Sequence, residues 1–197
     1  MNFFVADVQT GFGAFVAFYL AHHEWSVRDV GFVLTIGSLA GVVSQIPGGA
    51  LADALPWKRG LIAVGIGMIG IAALIFAVAP SYFPVLTASL VQGASGGVVT
   101  PAIGAINLGL VGRRAMSVRT GRNYRFAAGG HAATAAIMGL VGAYFQLGMI
   151  FVAAAALCIP ALIALAFIRP NEIDYAPRPQ RRQPGSKRPK LVASSIF

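Results

Sequence analysis

Long apolar runs separated by short polar breaks dominate the chain. The runs fall at 3–21, 31–52, 60–79, 84–111, 126–146 and 148–168. Each is close to 20 residues or longer. At about 1.5 Å of rise per residue, such a helix crosses a hydrocarbon layer about 30 Å thick. The pattern predicts an all-α, polytopic membrane bundle of six transmembrane helices. The connections are short, so neighbours in sequence should be neighbours in the bundle. Pro101 lies inside the fourth run, where it removes a backbone donor and predicts a kink.

Polar side chains are distributed unevenly among the six runs. The third, LIAVGIGMIGIAALIFAVA, has no hydrogen-bonding side chain, and the sixth has only Cys158. The first carries Asp7, Gln9, Thr10 and Tyr19. The second carries Thr35, Ser38, Ser44 and Gln45, and the fourth Ser89, Gln92, Ser95, Thr100 and Asn107. The fifth carries His131, Thr134 and Tyr144. Polar groups in hydrocarbon are costly unless they meet protein or water. Spans one, two, four and five are therefore expected to face an interior, and spans three and six the lipid. That alternation repeats every three helices, as a 3+3 structural repeat would. Small residues four apart allow close helix approach: Gly37 with Gly41, Gly93 with Gly97, and Ala135, Gly139 and Ala143 along the fifth span.

Composition supports the membrane class. The 197 residues are 57% hydrophobic and 11% charged, against about 25% charged in a soluble domain. The formal net charge is +9, and its placement matters more than its size. With the N-terminus in the cytoplasm, the inner loops hold Lys58, Arg59, Arg113, Arg114, Arg119, Arg122 and Arg125. The tail from Arg169 holds seven more, and Arg28 stands alone outside, which accounts for all 15 Lys and Arg. The positive-inside bias predicts a plasma membrane protein, of the bacterial inner membrane, with both termini cytoplasmic. Topology accounts for the basic residues without a nucleic acid partner. The N-terminus lacks a basic leader region and Asp7 interrupts its apolar stretch, so that stretch reads as a retained span. Residues 1–170 form the six-span domain. Residues 171–197, rich in Pro, Arg and Lys, read as a disordered cytoplasmic tail that meets solvent or anionic lipid head groups. Cys158 is the one cysteine; it lies in an apolar run and reads as packing.

Between the second and third runs lies GALADALPWKR, residues 49–59. Pro56 terminates a helix, Lys58 and Arg59 hold the turn inside, and Gly49 shares a face with Asp53 four residues on. A carboxylate at a helix C-terminus opposes the macrodipole and calls for a positive partner. Lys58, Arg59, Arg113, Arg114 and the N-terminal end of another helix are the candidates. Gly49-Ala50-Leu51-Ala52-Asp53 with Lys58-Arg59 resembles the loop signature of the major facilitator superfamily, in its expected position. Ala54, Pro56 and Trp57 stand where that pattern has a basic residue, a glycine and a basic residue. The resemblance implies the N-terminal six-helix half of a twelve-span transporter. It also implies a conformational latch at Gly49, Asp53, Lys58 and Arg59, with Arg113 and Arg114. Leu90-Val91-Gln92-Gly93 resembles a second segment of the family, with Ser89 where an arginine is usual. The inner loop Arg119, Arg122 and Asn123 reads either as part of the latch or as plain anchoring.

The candidate substrate or proton cavity comprises Asp7, Gln9, Thr10, Gln92, Asn107 and His131. Asp7 is the acid within a span interior; there it would bind a cation or carry a proton, or, if close to the inner surface, simply be wetted. His131 is a titratable candidate or a satisfied structural histidine. The adjacent His22, His23 and Glu24 do not converge as metal ligands would. No nucleophile–base pair, phosphate-cradling loop, metal site or cofactor motif is present, and the chain is not expected to be an enzyme. The resemblance implies secondary transport of a small solute by alternating access, with membrane lipids, the solute, and a second half or a homodimer as partners. A truncated, non-transporting fragment and a six-span scaffold or regulatory protein are the alternatives.

Overall fold

The structure, a computed structural model, describes residues 13–55 and 57–167, with the side chains of 13, 14 and 110–116 outside the description. Among the described residues there are helices and no strands. They are α1 (Gly13–His22), α2 (Val27–Ala54), α3 (Lys58–Val78), α4 (Tyr82–Tyr144) and α5 (Gly148–Ala166). The first span is described only over α1, and the disordered-tail expectation lies outside the described residues.

Each helix starts and ends for local reasons. Ser26 caps α2: its hydroxyl accepts from the Asp29 amide at 3.1 Å and donates to the Asp29 carboxylate at 2.7 Å. This satisfies one orphan donor and puts negative charge at the positive end of the helix. At the other end, α2 stops at Leu55, where the backbone turns extended ahead of Pro56, as a residue preceding proline should. Pro47, Pro101 and Pro160 lie inside α2, α4 and α5 without ending them. Of these only Pro101 was anticipated as a perturbation.

The fourth and fifth spans form one helical run, α4, of 63 residues. A straight rod of that length would be about 95 Å long. Yet Phe76 stacks on Phe151 with ring centroids 5.3 Å apart. Phe76 is six residues before Tyr82, and Phe151 seven after Tyr144. Even fully extended connections then hold the two ends of α4 within about 60 Å of each other. The run must therefore fold back. Its two limbs are long and apolar enough to cross a membrane, at Tyr82–Gly109 and Ser117–Tyr144, as are α2, α3 and α5. The expected count of spans stands for every segment that is described, while the fifth begins nearer 117 than 126.

Two helix pairs organise the bundle. The first is α2 with the first limb of α4, which run parallel. A Cβ on Gly37 would lie 3.1 Å from the Ser89 carbonyl oxygen, one on Gly41 3.4 Å from that of Gly93, and one on Gly48 2.9 Å from the Cα of Val98. Gly93 and Gly97 are tighter still, against Gly37 and against Gly41 and Ser44. The two glycine pairs noted in the sequence thus face one another. Here only glycine lets the backbones come this close.

The second pair is α3 with α5, which run antiparallel. Arg59 meets Leu165, Gly70 meets Cys158, Phe76 meets Phe151 and Ala77 meets Gly148. Each step forward on α3 is matched by a similar step back on α5. This corrects the expectation that spans three and six lie bare to lipid. Ile62, Ile66, Ile69, Ala73 and Phe76 of α3 are wholly buried, while Val64, Met68, Ile71 and Val78 are exposed. The apolar circumference of α3 serves two apolar environments, protein on one side and lipid on the other. A span with no polar residue is therefore no indication of which face is covered. Conversely, α2 is the least enclosed span, with only Val33, Gly48 and Ala52 buried. In the fifth span Thr134 is buried as expected, but Ala135, Gly139 and Ala143 lie on an exposed face.

A Gly97→Val substitution should lower the thermal midpoint of the detergent-solubilised chain by several degrees. Overpacking a tight contact costs about 1–3 kcal/mol. Gly139→Ala, where nothing lies within 4 Å, should leave the midpoint unchanged or raise it. Circular dichroism melts of both variants check the pair.

Candidate functional site

A cleft of about 300 Å³ runs along the α2–α4 pair. Its lining comes from one face of each helix: Gly37, Ser38, Gly41 and Gln45 of α2, and Ser89, Gln92, Gly93, Gly96 and Thr100 of α4, closed at one side by Val16 of α1. The three- and four-residue spacings bring these positions onto one stripe. The close approach of the backbones makes the floor, and the polar side chains rise from it.

Of the cavity residues expected from the sequence, Gln92 lines this cleft, half-buried. Asn107 lies about four turns further along α4 and is not part of the lining. His131 is exposed on the second limb of α4, so neither joins Gln92. Asp7, Gln9 and Thr10 lie outside the described residues. Ser38, Gln45, Ser89 and Thr100 were visible as polar residues of the second and fourth spans but were not singled out. The i, i+7 spacing of Ser38 and Gln45, and the Ser89–Gln92–Gly96–Thr100 stripe, carried that signal.

At the turn between α2 and α3, Lys58 and Arg59 each have an acceptor. Lys58 donates to the Ala52 carbonyl at the end of α2. Arg59 donates through one nitrogen to the carbonyls of Leu165 at 3.2 Å and Ala166 at 3.1 Å. These belong to the last turn of α5, where carbonyls have no partner within the helix and carry the negative end of its dipole. Arg59 is thus a cap for the sixth span, holding the two ends of the α3–α5 pair together. Asp53 is exposed on the last turn of α2. Nothing lies within 4 Å of a Cβ on Gly49, and the close approach falls on Gly48 instead. Arg113 and Arg114 lie on α4 with side chains outside the description. Arg119 and Arg122 are exposed and Asn123 half-buried at the start of the fifth span. Among the described residues no group of three His, Cys, Asp or Glu is placed to hold a metal ion.

A helical membrane bundle with a polar cleft between tightly packed spans has the architecture of half a transporter. The chain matches the sequence profile of the Major Facilitator Superfamily over residues 1–197, and it belongs to that family. Two proteins of Mycobacterium tuberculosis, from strains CDC 1551 / Oshkosh and H37Rv, each named as an uncharacterized MFS-type transporter, are 31% identical to it over 192 residues. The match covers 96% of this chain and 46% of each relative. The chain therefore spans about half the length of these relatives.

Arg59→Ala should cost about 1.5–3 kcal/mol, the usual worth of a hydrogen bond involving a charged group, and lower the thermal midpoint accordingly. Arg59→Lys should recover part of the loss, since a lysine donates to the same carbonyls without the fork. Equal midpoints for Arg59→Ala and the unaltered chain would remove the capping role.

Proposed function

We propose that this chain forms one six-helix half of a secondary transporter that moves a small solute by alternating access, with the α2–α4 cleft as its share of the solute path. The cleft carries the reading: it is a stripe of hydrogen-bonding side chains held open in an apolar bundle. Family membership and relatives about twice as long support a second six-helix bundle across from it. In this reading both termini are cytoplasmic, in a bacterial inner membrane, as the inside bias of Lys and Arg supports.

The GALADALPWKR turn is the hinge end of this half. Lys58 and Arg59 are engaged within the chain, so Asp53, exposed and opposing the α2 dipole, is the group that awaits a positive partner. That partner is Arg113 or Arg114, or a cationic side chain or helix N-terminus of the second bundle, with the contact formed in one state of the transport cycle and broken in the other. Asp7, Gln9 and Thr10 remain the proposed acidic and polar contribution of the first span to coupling or solute binding.

Proteoliposome flux tests the reading. The chain as a monomer should give no flux above empty vesicles, and a twelve-helix assembly should give saturable flux. In that assembly Asp53→Asn should slow turnover at least tenfold, and Asp7→Asn should abolish coupled flux. Flux by an isolated monomer, or none in the twelve-helix assembly, would remove the proposal. Mass measurement in lipid nanodiscs distinguishes a homodimer from a pairing with a different bundle.

A further inference from the structure

Several hydroxyls of the bundle are satisfied by their own helices. Away from the cleft, Thr35 donates to the Gly31 carbonyl at 2.7 Å, Ser44 to that of Ala40 at 2.6 Å, and Thr87 to that of Pro84 at 2.8 Å. Each is satisfied by its own helix, the usual solution for a hydroxyl in an apolar span. Ser95, buried outside the lining, has no partner, and in the cleft such groups gather. Thr100 donates to the Gly96 carbonyl at 3.0 Å, but among the described residues the side chains of Ser38, Gln45, Ser89 and Gln92 have no hydrogen-bond partner. Ser89 is 5% exposed, and what remains of it lines the cleft. A buried hydroxyl left without a partner is destabilising unless something fills the place beside it.

Two more features define what fits there. Among the described residues the lining holds two primary amides and three hydroxyls and no Lys, Arg, Asp, Glu or His. Each glutamine offers two donors and a carbonyl acceptor, and each serine one donor and an acceptor. The floor is glycine. A Cβ on Gly96 would meet nothing within 4 Å, in contrast to Gly93 and Gly97, which are packed against α2. The open space in the cleft therefore lies over Gly96, one turn from both Gln92 and Thr100.

We propose that this wall recognises uncharged, hydroxyl- or amide-bearing groups of the solute, through Gln45, Ser89 and Gln92 over the open floor at Gly96. The assignment rests on the transport reading only for the statement that the bound molecule is the one carried. A carboxylate or ammonium placed here meets no counter-charge from this wall and loses its water. A polyol exchanges its hydrogen bonds with water for ones with the two amides and the serine.

Three probes of one carbon skeleton test the charge rule: sorbitol, gluconate and N-methylglucamine, neutral, anionic and cationic. Thermal shift of the purified chain in detergent, at low millimolar probe and fixed ionic strength, should show stabilisation by sorbitol at least fivefold larger than by either charged analogue. Gln92→Leu, which keeps the bulk and removes the amide, should abolish the sorbitol shift. So should Gly96→Leu, which fills the open space without touching the helix seam, and both variants should keep the starting midpoint within a few degrees. Equal response to the three probes, a larger response to a charged one, or no response to sorbitol would overturn the assignment. The last result would leave these side chains to a helix of the second bundle. The same probes in proteoliposomes of the twelve-helix assembly separate this from the transport reading. Sorbitol binding with no flux of any probe removes transport and keeps the site. Flux of a charged probe with sorbitol inert removes the site's neutrality and keeps transport.

Discussion

Backbone-to-backbone contact between α2 and the first limb of α4 is the interaction on which the rest of this half-bundle depends. Lipid tails are as apolar as leucine, so helices in a bilayer gain little from burying leucine against leucine. Close packing must supply the attraction instead. Gly37, Gly41 and Gly48 on one helix and Gly93 and Gly97 on the other remove the side chains that would hold the axes apart. The same absence of side chains leaves a groove beside the seam, and the polar residues flanking the glycines become its walls. Packing and cleft are thus one feature of the sequence. A larger residue at the seam separates the helices, and one at Gly96 fills the groove.

The second pair works by a different means. Between α3 and α5 Phe76 stacks on Phe151, with the Tyr19 ring edge-on to Phe151 at 4.8 Å, and small residues close the rest of the seam, Gly70 against Cys158 and Ala77 against Gly148. Aromatic pairs of this kind add about 0.5–1.5 kcal/mol each beyond the area they cover. The α3–α5 pair lies at the enclosed side of this half, with Ile62, Ile66, Phe76 and Phe151 wholly buried. The α2–α4 pair lies at its open side, with Leu39, Val42, Val43 and Ile46 of α2 exposed.

The spans were legible because their signal is length, and bilayer thickness imposes length directly. The glycine seam was legible as spacing within each helix, but not as a pairing between them, since nothing local says which glycine stripe meets which. The lipid-facing assignment of spans three and six failed for a related reason. Polarity shows where a helix must not face oil, but a helix with no polar residue is free to face oil or protein. The extent of α3 burial is set by α4 and α5 together, with Gly65 against Val99 and Gly70 against Cys158, and the second of these partners is distant in sequence. Within the candidate site, Gln92 was found because polar residues in apolar spans stand out. Gln45 and Ser89 were passed over because their importance lies in what they fail to bond, and that is visible only in three dimensions. His131 and Asn107 show the converse, polar residues of the same spans that the helix phase turns away from the cleft.

The two helix ends at the GALADALPWKR turn differ in charge. Both α2 and α5 end there with the negative pole of a dipole. At α5 the matter is closed: Arg59 supplies a cation and hydrogen bonds to the last two carbonyls of the helix. At α2 it is only half closed, because Lys58 reaches the Ala52 carbonyl while Asp53 adds a negative charge to the same pole. A charge at a helix terminus contributes about 0.3–1 kcal/mol, favourable or unfavourable according to sign. The α5 end thus carries a compensating cation, and the α2 end carries a charge of the unfavourable sign. Arg59 ties the α3–α5 pair to the turn, and the charge that opposes a helix dipole there is that of Asp53.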